Sequence, residues 1–329
     1  MDECVYRGEK KDGGERFDCR LFGECQLTGT SSDVPVCKRC KQSLNLDHPK
    51  FPEEFQDPLV VLDHHKQKTI SLRNILAGGA AFLVCGGPSA NDQPTELLMR
   101  RGIWSLGVNN VAGHLQCNAM VCSDPPSKFS HSIWLDPRIM KFVPTPKMRG
   151  GRAKLRKKVN GEFSELGKKT FQCPNVWGFQ RWSWLTPDDQ FFLSDGACWG
   201  NHLKGAEKTG QVRVVCTMFL GLRLLYYLGA RIIYLVGADF HMRPDYGYSF
   251  AQDRDEGASV SNNHHFEIVN DWMCKMQSNG VFDRFGLEVY NTFAYSGLRA
   301  FEFVPFKEAV EQAVGLVEEN PDLVGWYEK

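Results

Sequence analysis

The sequence predicts an α/β fold, Rossmann-like, with a mostly parallel sheet and helices on both faces. Three observations carry that expectation. From Ala80 onward, short apolar runs alternate with helix-period segments, the order that takes strands through helical crossovers into a parallel sheet. The runs are brief and rich in β-branched residues, as strands buried on both faces are. With 329 residues, 42% of them hydrophobic, the chain has enough apolar mass for at least one substantial core.

The expected strands are AFLVCGG (81–87), IWSLGVN (103–109), NAMVCSD (118–124), RIIYLVGADF (231–240) and LEVYNTF (287–293). Between Thr209 and Leu228, Val212, Val215, Phe219, Leu222 and Tyr226 recur at three- and four-residue steps, which predicts an amphipathic helix. Phe266, Val269, Met273 and Met276 predict a second. A third carries Phe306, Ala309, Val310, Ala313 and Val317 on one face, with Pro305 at its start. No internal repeat is visible.

Three regions emerge: a Cys-rich module over 1–45, a linker or arm over 46–77, and a nucleotide-binding catalytic domain over 78–329. Pro49, Pro52 and Pro58 interrupt regular structure in the arm. Within the large domain, 147–205 reads as a lid insertion. Lys147 to Lys169 holds nine Lys or Arg against two Glu, and Trp177, Trp182, Trp184 and Trp199 follow as anchors that fold the insertion back.

Lys+Arg and Asp+Glu both number 39, so net charge excludes a global pull toward nucleic acid or an anionic membrane. Any such contact needs a local patch, and Lys147–Lys169 with the Cys-rich module is the candidate for nucleic acid. The first residues, MDECVYRGEKK, lack the apolar stretch of a secretory signal. Leu224 to Gly237, the most apolar stretch, is too short to span a bilayer and is broken by Arg231 and two glycines. The expectation is a cytoplasmic protein (host cytoplasm for a viral one) with no membrane span, in which the twelve cysteines stay reduced.

Five of those cysteines, Cys4, Cys19, Cys25, Cys37 and Cys40, crowd the first forty residues. Cys37 and Cys40 have the two-residue spacing that lets both thiolates reach one tetrahedral ion, so a structural Zn2+ site is expected. A segment with so little apolar mass needs such a metal for its folding energy. Which two of Cys4, Cys19 and Cys25 complete the set is open.

In Gly86, Gly87, Pro88 and Ser89 a buried strand runs into a glycine-rich turn, followed by an expected helix through Glu96 to Arg101. Such a turn brings backbone N–H groups and a Ser hydroxyl to a phosphate. It matches neither a Walker A loop nor GxGxxG. Asn109 and Asn110 follow the next strand, and Ser123 and Asp124 the one after. Ligands in open parallel sheets sit outside the carboxyl ends of the strands, so these side chains are expected in one crevice. Gly237, Asp239 and His241 end the strongest strand, and Tyr248 follows in a polar loop before His264 and His265. A histidine here supplies a general base.

The order of these motifs resembles the family 42 sialyltransferases and the wider group that includes the 6-hydroxymethylpterin pyrophosphokinase-like proteins, over about Ala81 to Phe303. The resemblance lies in Thr209 and Gly210 opening a helix, Leu228-Gly229, Gly237 to Phe240, Tyr248 to Phe250, and Gly87-Pro88-Ser89. The Cys-rich segment is similar to the small zinc ribbons ahead of bacterial and phage glycosyltransferase-like proteins. The resemblance implies transfer of a sugar from a nucleotide-sugar donor to a hydroxyl acceptor, with Asn109 on the nucleoside, Thr209 and the glycine turn on phosphates, Tyr248 assisting departure, and His264 or His265 as base. It implies as an alternative a Mg2+-dependent diphosphate transfer from ATP, with Asp124 and Asp239 on the metal; the Cys-rich module and the basic insertion offer a further alternative, a nucleic-acid-binding or nucleic-acid-modifying protein. Two positions depart from the family pattern: His241 stands for a tyrosine and Asp124 for an asparagine. An acid at Asp124 repels phosphate unless it meets a cation.

Overall fold

The structure, a computed structural model, describes residues 7–10, 17–19, 60–63, 68–72, 74–76, 78–124, 126–144, 154–159, 162–179, 184–185, 187–188, 190–193, 202–203, 216–242, 247–250 and 258–316.

The fold is Rossmann-like, built on one ten-stranded sheet. In chain order, β1 (Arg7–Lys10) and β2 (Phe17–Cys19) form a separate hairpin. The main sheet takes β3 (Val60–Asp63), β4 (Lys68–Ser71), β5 (Ala80–Val84), β6 (Ser105–Val108), β7 (Ala119–Val121) and β8 (Met140–Pro144). A second hairpin, β9 (Lys154–Val159) with β10 (Glu162–Lys169), stands apart from it. The remaining strands are β11 (Val176–Phe179), a small pair β12 (Trp184–Leu185) and β13 (His202–Leu203), then β14 (Ile232–Val236), β15 (Glu288–Asn291) and β16 (Glu302–Phe303). The sheet order is β16-β15-β14-β5-β6-β7-β8-β11-β3-β4. Every pairing from β16 to β11 is parallel; β3 and β4 add an antiparallel edge.

This order positions the site. From β5 the chain builds outward through β6, β7, β8 and β11, then returns to the other side of β5 as β14. The strand order therefore reverses between β5 and β14, and the loops leaving their carboxyl ends diverge to open a crevice.

Alternation along the strands feeds two cores. Ala81, Leu83, Ile233 and Leu235 face one layer, which contains α3 (Thr217–Leu228) and α4 (Ala258–Ser278). Phe82, Val84, Tyr234 and Val236 face the other, against α6 (Phe306–Leu316). The short helices α1 (His131–Leu135), α2 (Gln190–Leu193) and α5 (Val281–Arg284) complete the layers. A Cβ on Gly221 would lie 2.4 Å from Leu83 Cδ1, so α3 passes close enough to β5 that only glycine fits. Gly229, at φ 109°, ends α3 in the left-handed conformation that favours glycine.

Several expectations are corrected here. The α3 segment is not amphipathic: apart from Thr217 and Tyr226, every residue in it is buried, because it is covered on both sides. The chain after Ser89 makes two short 3-10 turns, Pro88–Asp92 and Thr95–Met99, in place of a helix through Arg101. Part of the expected arm, 60–63 and 68–71, is sheet edge. Part of the expected lid, β11, is a buried strand beside β8, where Val176, Trp177 and Phe179 join the cores. Strand β8 carries Lys141, fully buried, whose ammonium donates to the carbonyls of Asp136, Ile139 and Pro174 at 2.5, 2.8 and 2.9 Å. Burial pulls its pKa down to about 8. Cys4, Cys25, Cys37 and Cys40 lie outside the described residues, and Cys19 ends β2.

Candidate functional site

The crevice at the β5–β14 reversal holds a cavity of about 460 Å³, the size of a nucleotide or small-ligand pocket. Its wall combines Gly86, Gly87, Asn109, Asn110, Ser123, Asp124, Gly237, Asp239, His241 and Tyr248, all singled out from the sequence at separate strand ends. Four parallel strands, β14, β5, β6 and β7, end here, so the residues that follow them leave the sheet at the same edge.

The glycine turn works differently from the expectation. Ser89 donates its backbone N–H and its hydroxyl to Asp239, at 3.2 Å to Oδ1 and 2.9 Å to Oδ2. Gly87 donates its N–H to Gly237 O at 2.7 Å. These donors fasten the end of β5 to the end of β14, so they do not form a phosphate cradle. Pro88 and Ser89 are absent from the cavity wall. Gly87 is obligatory here, since a Cβ would fall 1.8 Å from Asp239 Oδ2 and 2.4 Å from Gly237 O. Asp239 is buried, and that burial raises its pKa while the Ser89 hydrogen bonds oppose the rise. The carboxylate clasps the ends of β5 and β14 through Ser89.

Gly86 makes room for an aromatic ladder. A Cβ there would come within 3.0 Å of the Tyr248 ring, and Ser249 donates its N–H to Gly86 O at 2.9 Å. Tyr248 stacks on Phe250 at 5.3 Å, and Phe250 on His114 at 4.3 Å, with the rings nearly parallel. Burial lowers the His114 pKa, which keeps this ring neutral near pH 7. Tyr248 is thus held over the turn by stacking from behind.

Asn109 sits at φ 58°, a conformation Asn tolerates better than most residues. Its Oδ1 is buried and has no hydrogen-bond partner among the described residues. The Asn110 Oδ1 accepts from Ser130 N at 2.9 Å and therefore holds a loop. Asp124 pairs with Lys128 at 3.3 Å, which supplies the cation that an acid in this crevice requires. Ser123 Oγ and Thr217 Oγ1 lie 3.0 Å apart.

Helix α3 points its N-terminus into the cavity through Cys216, Thr217 and Met218. Thr209 and Gly210, where the sequence suggested a hydroxyl-bearing helix start, lie outside the described residues. Burial pushes the Cys216 thiol up to about 11, and burial with Cys216 and Asp239 nearby pushes Cys85 up as well. Both thiols stay protonated near neutral pH and are poor nucleophiles.

The histidines separate. His241 is exposed and lines the cavity. On α4, Asn262 and Phe266 line it, while Asn263 grips Met242 through two amide hydrogen bonds of 2.7 and 2.8 Å. His264, half-way round the helix from Asn262, faces Glu267 at 3.8 Å. His265 sits at the flank of the lining face, half-buried, its pKa lowered by desolvation and by His264. Neither is in the wall.

Sequence reasoning missed Lys128, Cys85, Cys216, Thr217, Phe250, Asn262 and Phe266. For Lys128 a signal existed: it stands four residues after Asp124, the spacing of a local ion pair. Among the described residues, no group of three or more His, Cys, Asp or Glu could hold a metal ion. Asp124 and Asp239, the carboxylates assigned to Mg2+ under the diphosphate reading, contact Lys128 and Ser89 respectively. No described helix is long and apolar enough to cross a membrane.

A sheet of this topology with a ligand-sized crevice at its reversal defines a class, the Rossmann-like α/β proteins. No protein-family model matches the chain, and no curated protein matches it. Among solved structures, the chain is similar to the sialyltransferase CstII from Campylobacter jejuni in complex with cytidine-5'-monophosphate, at 12% identity and TM-score 0.33, covering 74% of this chain and 88% of that one. The same enzyme with CMP-3FNeuAc matches at 12% identity and TM-score 0.34, covering 69% and 86%. A variant of the enzyme with CMP matches at 14% identity and TM-score 0.36, covering 73% and 88%. These are distant likenesses, and the functional argument rests on the site itself.

Proposed function

We propose that this chain is a glycosyltransferase that moves a sugar from a nucleotide-sugar donor in the β5–β14 cavity to a hydroxyl acceptor. The observation that carries the reading is the buried, unpartnered Oδ1 of Asn109 at the crevice wall. Leaving a buried acceptor unpaired costs about 1–3 kcal/mol, and a ribose hydroxyl or a base amino group removes that penalty.

The donor phosphates lie at the α3 N-terminus, where Thr217 and Lys128 add a hydroxyl and a cation. Tyr248 faces the leaving phosphate. The sugar–phosphate C–O bond breaks, its electron pair stays on phosphate oxygen, and the acceptor oxygen bonds to the anomeric carbon. The acceptor proton passes to His241 or His265; the geometry of His264 argues against it. Oriented backbone dipoles, Tyr248 and Lys128 stabilise the phosphate charge.

Thermal shift against CMP, UDP, GDP, ADP and ATP, each with and without Mg2+, tests the reading. Stabilisation by one nucleoside mono- or diphosphate without Mg2+, lost in Asn109→Gly, is expected. A shift that only ATP with Mg2+ produces, or no shift at all, overturns it.

A further inference from the structure

We infer that Asp124 accepts hydrogen bonds from the ribose cis-diol of the donor, so that the cavity takes ribonucleotide sugars and rejects their 2'-deoxyribonucleotide counterparts. The inference rests on the transferase reading for what fills the cavity and goes beyond it in naming the part of the donor that is selected.

Most of the acceptor oxygens in the cavity wall are already engaged. Both carboxylate oxygens of Asp239 take hydrogen bonds from Ser89. Asn110 Oδ1 takes the Ser130 N–H at 2.9 Å, and the Ser123 and Thr217 hydroxyls share one bond of 3.0 Å. Asn109 and Asp124 differ. The buried Asn109 Oδ1 has no partner among the described residues. Asp124 gives Oδ2 to Lys128 at 3.3 Å, and among the described residues its Oδ1 meets no donor. The two side chains follow β6 and β7, neighbours in the sheet whose register sets Val108 beside Val121. Neighbouring strands run roughly 4.8 Å apart, so a single ligand can meet both oxygens.

An ionised carboxylate only accepts hydrogen bonds, so it repels a phosphate and requires a donor from the ligand. Ionised phosphates offer none. A nucleotide carries its donors in two places, the ribose hydroxyls and the N–H groups of the base. Lys128 decides between them. Its ammonium bonds Asp124 and is also the cation assigned to the donor phosphates, which sets Asp124 beside the phosphate end of the ligand. Ribose is the group attached to that end, and the base lies beyond it. The neighbouring 2'- and 3'-hydroxyls present two O–H donors on one side of the ring, which suits a carboxylate. With the ribose on Asp124, the Asn109 oxygen one strand over is left to an N–H of the base.

The side chains of Asp124 and Lys128 are 48% and 61% exposed, so the pair is reachable from the crevice rather than sealed into the fold. A donor that lacks the 2'-hydroxyl leaves the carboxylate short of a partner beside a bound anion. Sites built to hydrogen-bond a hydroxyl reject the analogue without it far more strongly than an apolar pocket rejects a missing methylene. Sugars carried on thymidine diphosphate therefore fall outside the donor class.

Calorimetry on the full chain with UDP, GDP, ADP and CMP, each beside its 2'-deoxy counterpart, tests the inference. For the nucleotide that binds, the ribo form should bind about tenfold or more tightly than the 2'-deoxy form, the effect of one hydrogen bond to a charged group. Asp124→Ala should bring the two forms to the same affinity. Asp124→Asn, which keeps the shape and one neutral acceptor, should discriminate to an intermediate degree. Melting temperature reports whether each variant is folded, and the wild-type ratio needs no variant. A purely structural role for Asp124 would weaken both forms by the same factor and leave their ratio intact.

Equal binding of the ribo and 2'-deoxy forms by the wild-type protein overturns the inference and leaves the transferase reading standing. So does a folded Asp124→Ala variant that keeps the wild-type ratio. Failure of every nucleotide to bind, in either form, overturns the transferase reading and this inference with it.

Discussion

The clasp between Ser89 and Asp239 makes a prediction that separates two opposing effects on one carboxylate. Ser89→Ala removes the 2.9 Å hydroxyl contact and leaves the backbone N–H at 3.2 Å in place. A hydrogen bond to a charged group contributes about 1.5–3 kcal/mol, so a loss of about 2 kcal/mol is expected. In a chain of 329 residues, at roughly 2.1 cal/mol/K of unfolding entropy per residue, that corresponds to a fall in Tm of about 3 °C. Asp239→Asn keeps one acceptor, turns the other toward Ser89 as a donor, and cannot ionise. Its cost should depend on pH. Burial raises the folded pKa of Asp239 above its unfolded value. Stability from this group is therefore fully present below the ordinary carboxylate pKa of about 3.9 and is lost as pH rises through the higher folded value. Asparagine stays neutral throughout, so the penalty of Asp239→Asn should be largest in acid and shrink toward neutral pH. Urea unfolding of both proteins between about pH 4 and pH 7 reads the difference directly. A penalty that grows with pH would mean that the Ser89 hydrogen bonds outweigh burial, and would refute the assignment of Asp239 as a desolvated clasp. The double variant should cost less than the sum of the singles, because both remove the same contact.

Further outcomes follow from the same geometry. Gly87→Ala should destabilise by more than about 3 kcal/mol in urea unfolding, because the new Cβ meets the backbone oxygen of Gly237, which has nowhere to move. Gly221→Ala should cost about 1–3 kcal/mol, since Leu83 Cδ1 belongs to a side chain but one with no empty space beside it. Asn109→Gly, which retains the left-handed backbone, should weaken nucleotide binding about 10- to 100-fold by calorimetry with little change in Tm. His264→Asn should leave transfer within a few-fold of wild type, whereas His241→Asn or His265→Asn should lower kcat by about 100-fold or more, as loss of a general base does.

What the sequence revealed of the fold tracks how each strand is buried. β5, β6, β7 and β14 were legible because strands covered on both faces read as short apolar runs, and β15 because Leu287, Val289 and Asn291 alternate as buried positions with exposed or half-exposed ones. β8 was not, because Lys141 interrupts its run, and only the structure shows three carbonyls waiting for that ammonium. β11 was hidden by its tryptophan and glycine, residues equally suited to a lid anchor. At the site, the polar strand ends were visible, since a residue such as Asn109 directly after an apolar run is already placed at the sheet's carboxyl edge. The use made of them was not. Whether Ser89 serves a phosphate or a carboxylate depends on Asp239, 150 residues away, and that distance is closed only by the parallel register of β5 with β14. Thr217 and Lys128 were missed for the same reason: their relevance comes from where a crossover ends.

The clasp also explains how a buried carboxylate is tolerated beside the cavity in which the proposal places a phosphate. The ends of β5 and β14 are joined by the Gly87–Gly237 and Ser89–Asp239 hydrogen bonds, and the Tyr248 loop is tied to the same turn through Ser249 and Gly86. The wall is therefore ordered before a ligand arrives, so binding energy is not consumed in fixing it. A phosphate placed near Asp239 would meet a carboxylate whose charge is drawn toward Ser89, while the α3 N-terminus and Lys128 present the opposite sign from the other side. Under the transferase proposal, a donor wall ordered in this way leaves selection of the acceptor to the loops on the opposite side of the crevice.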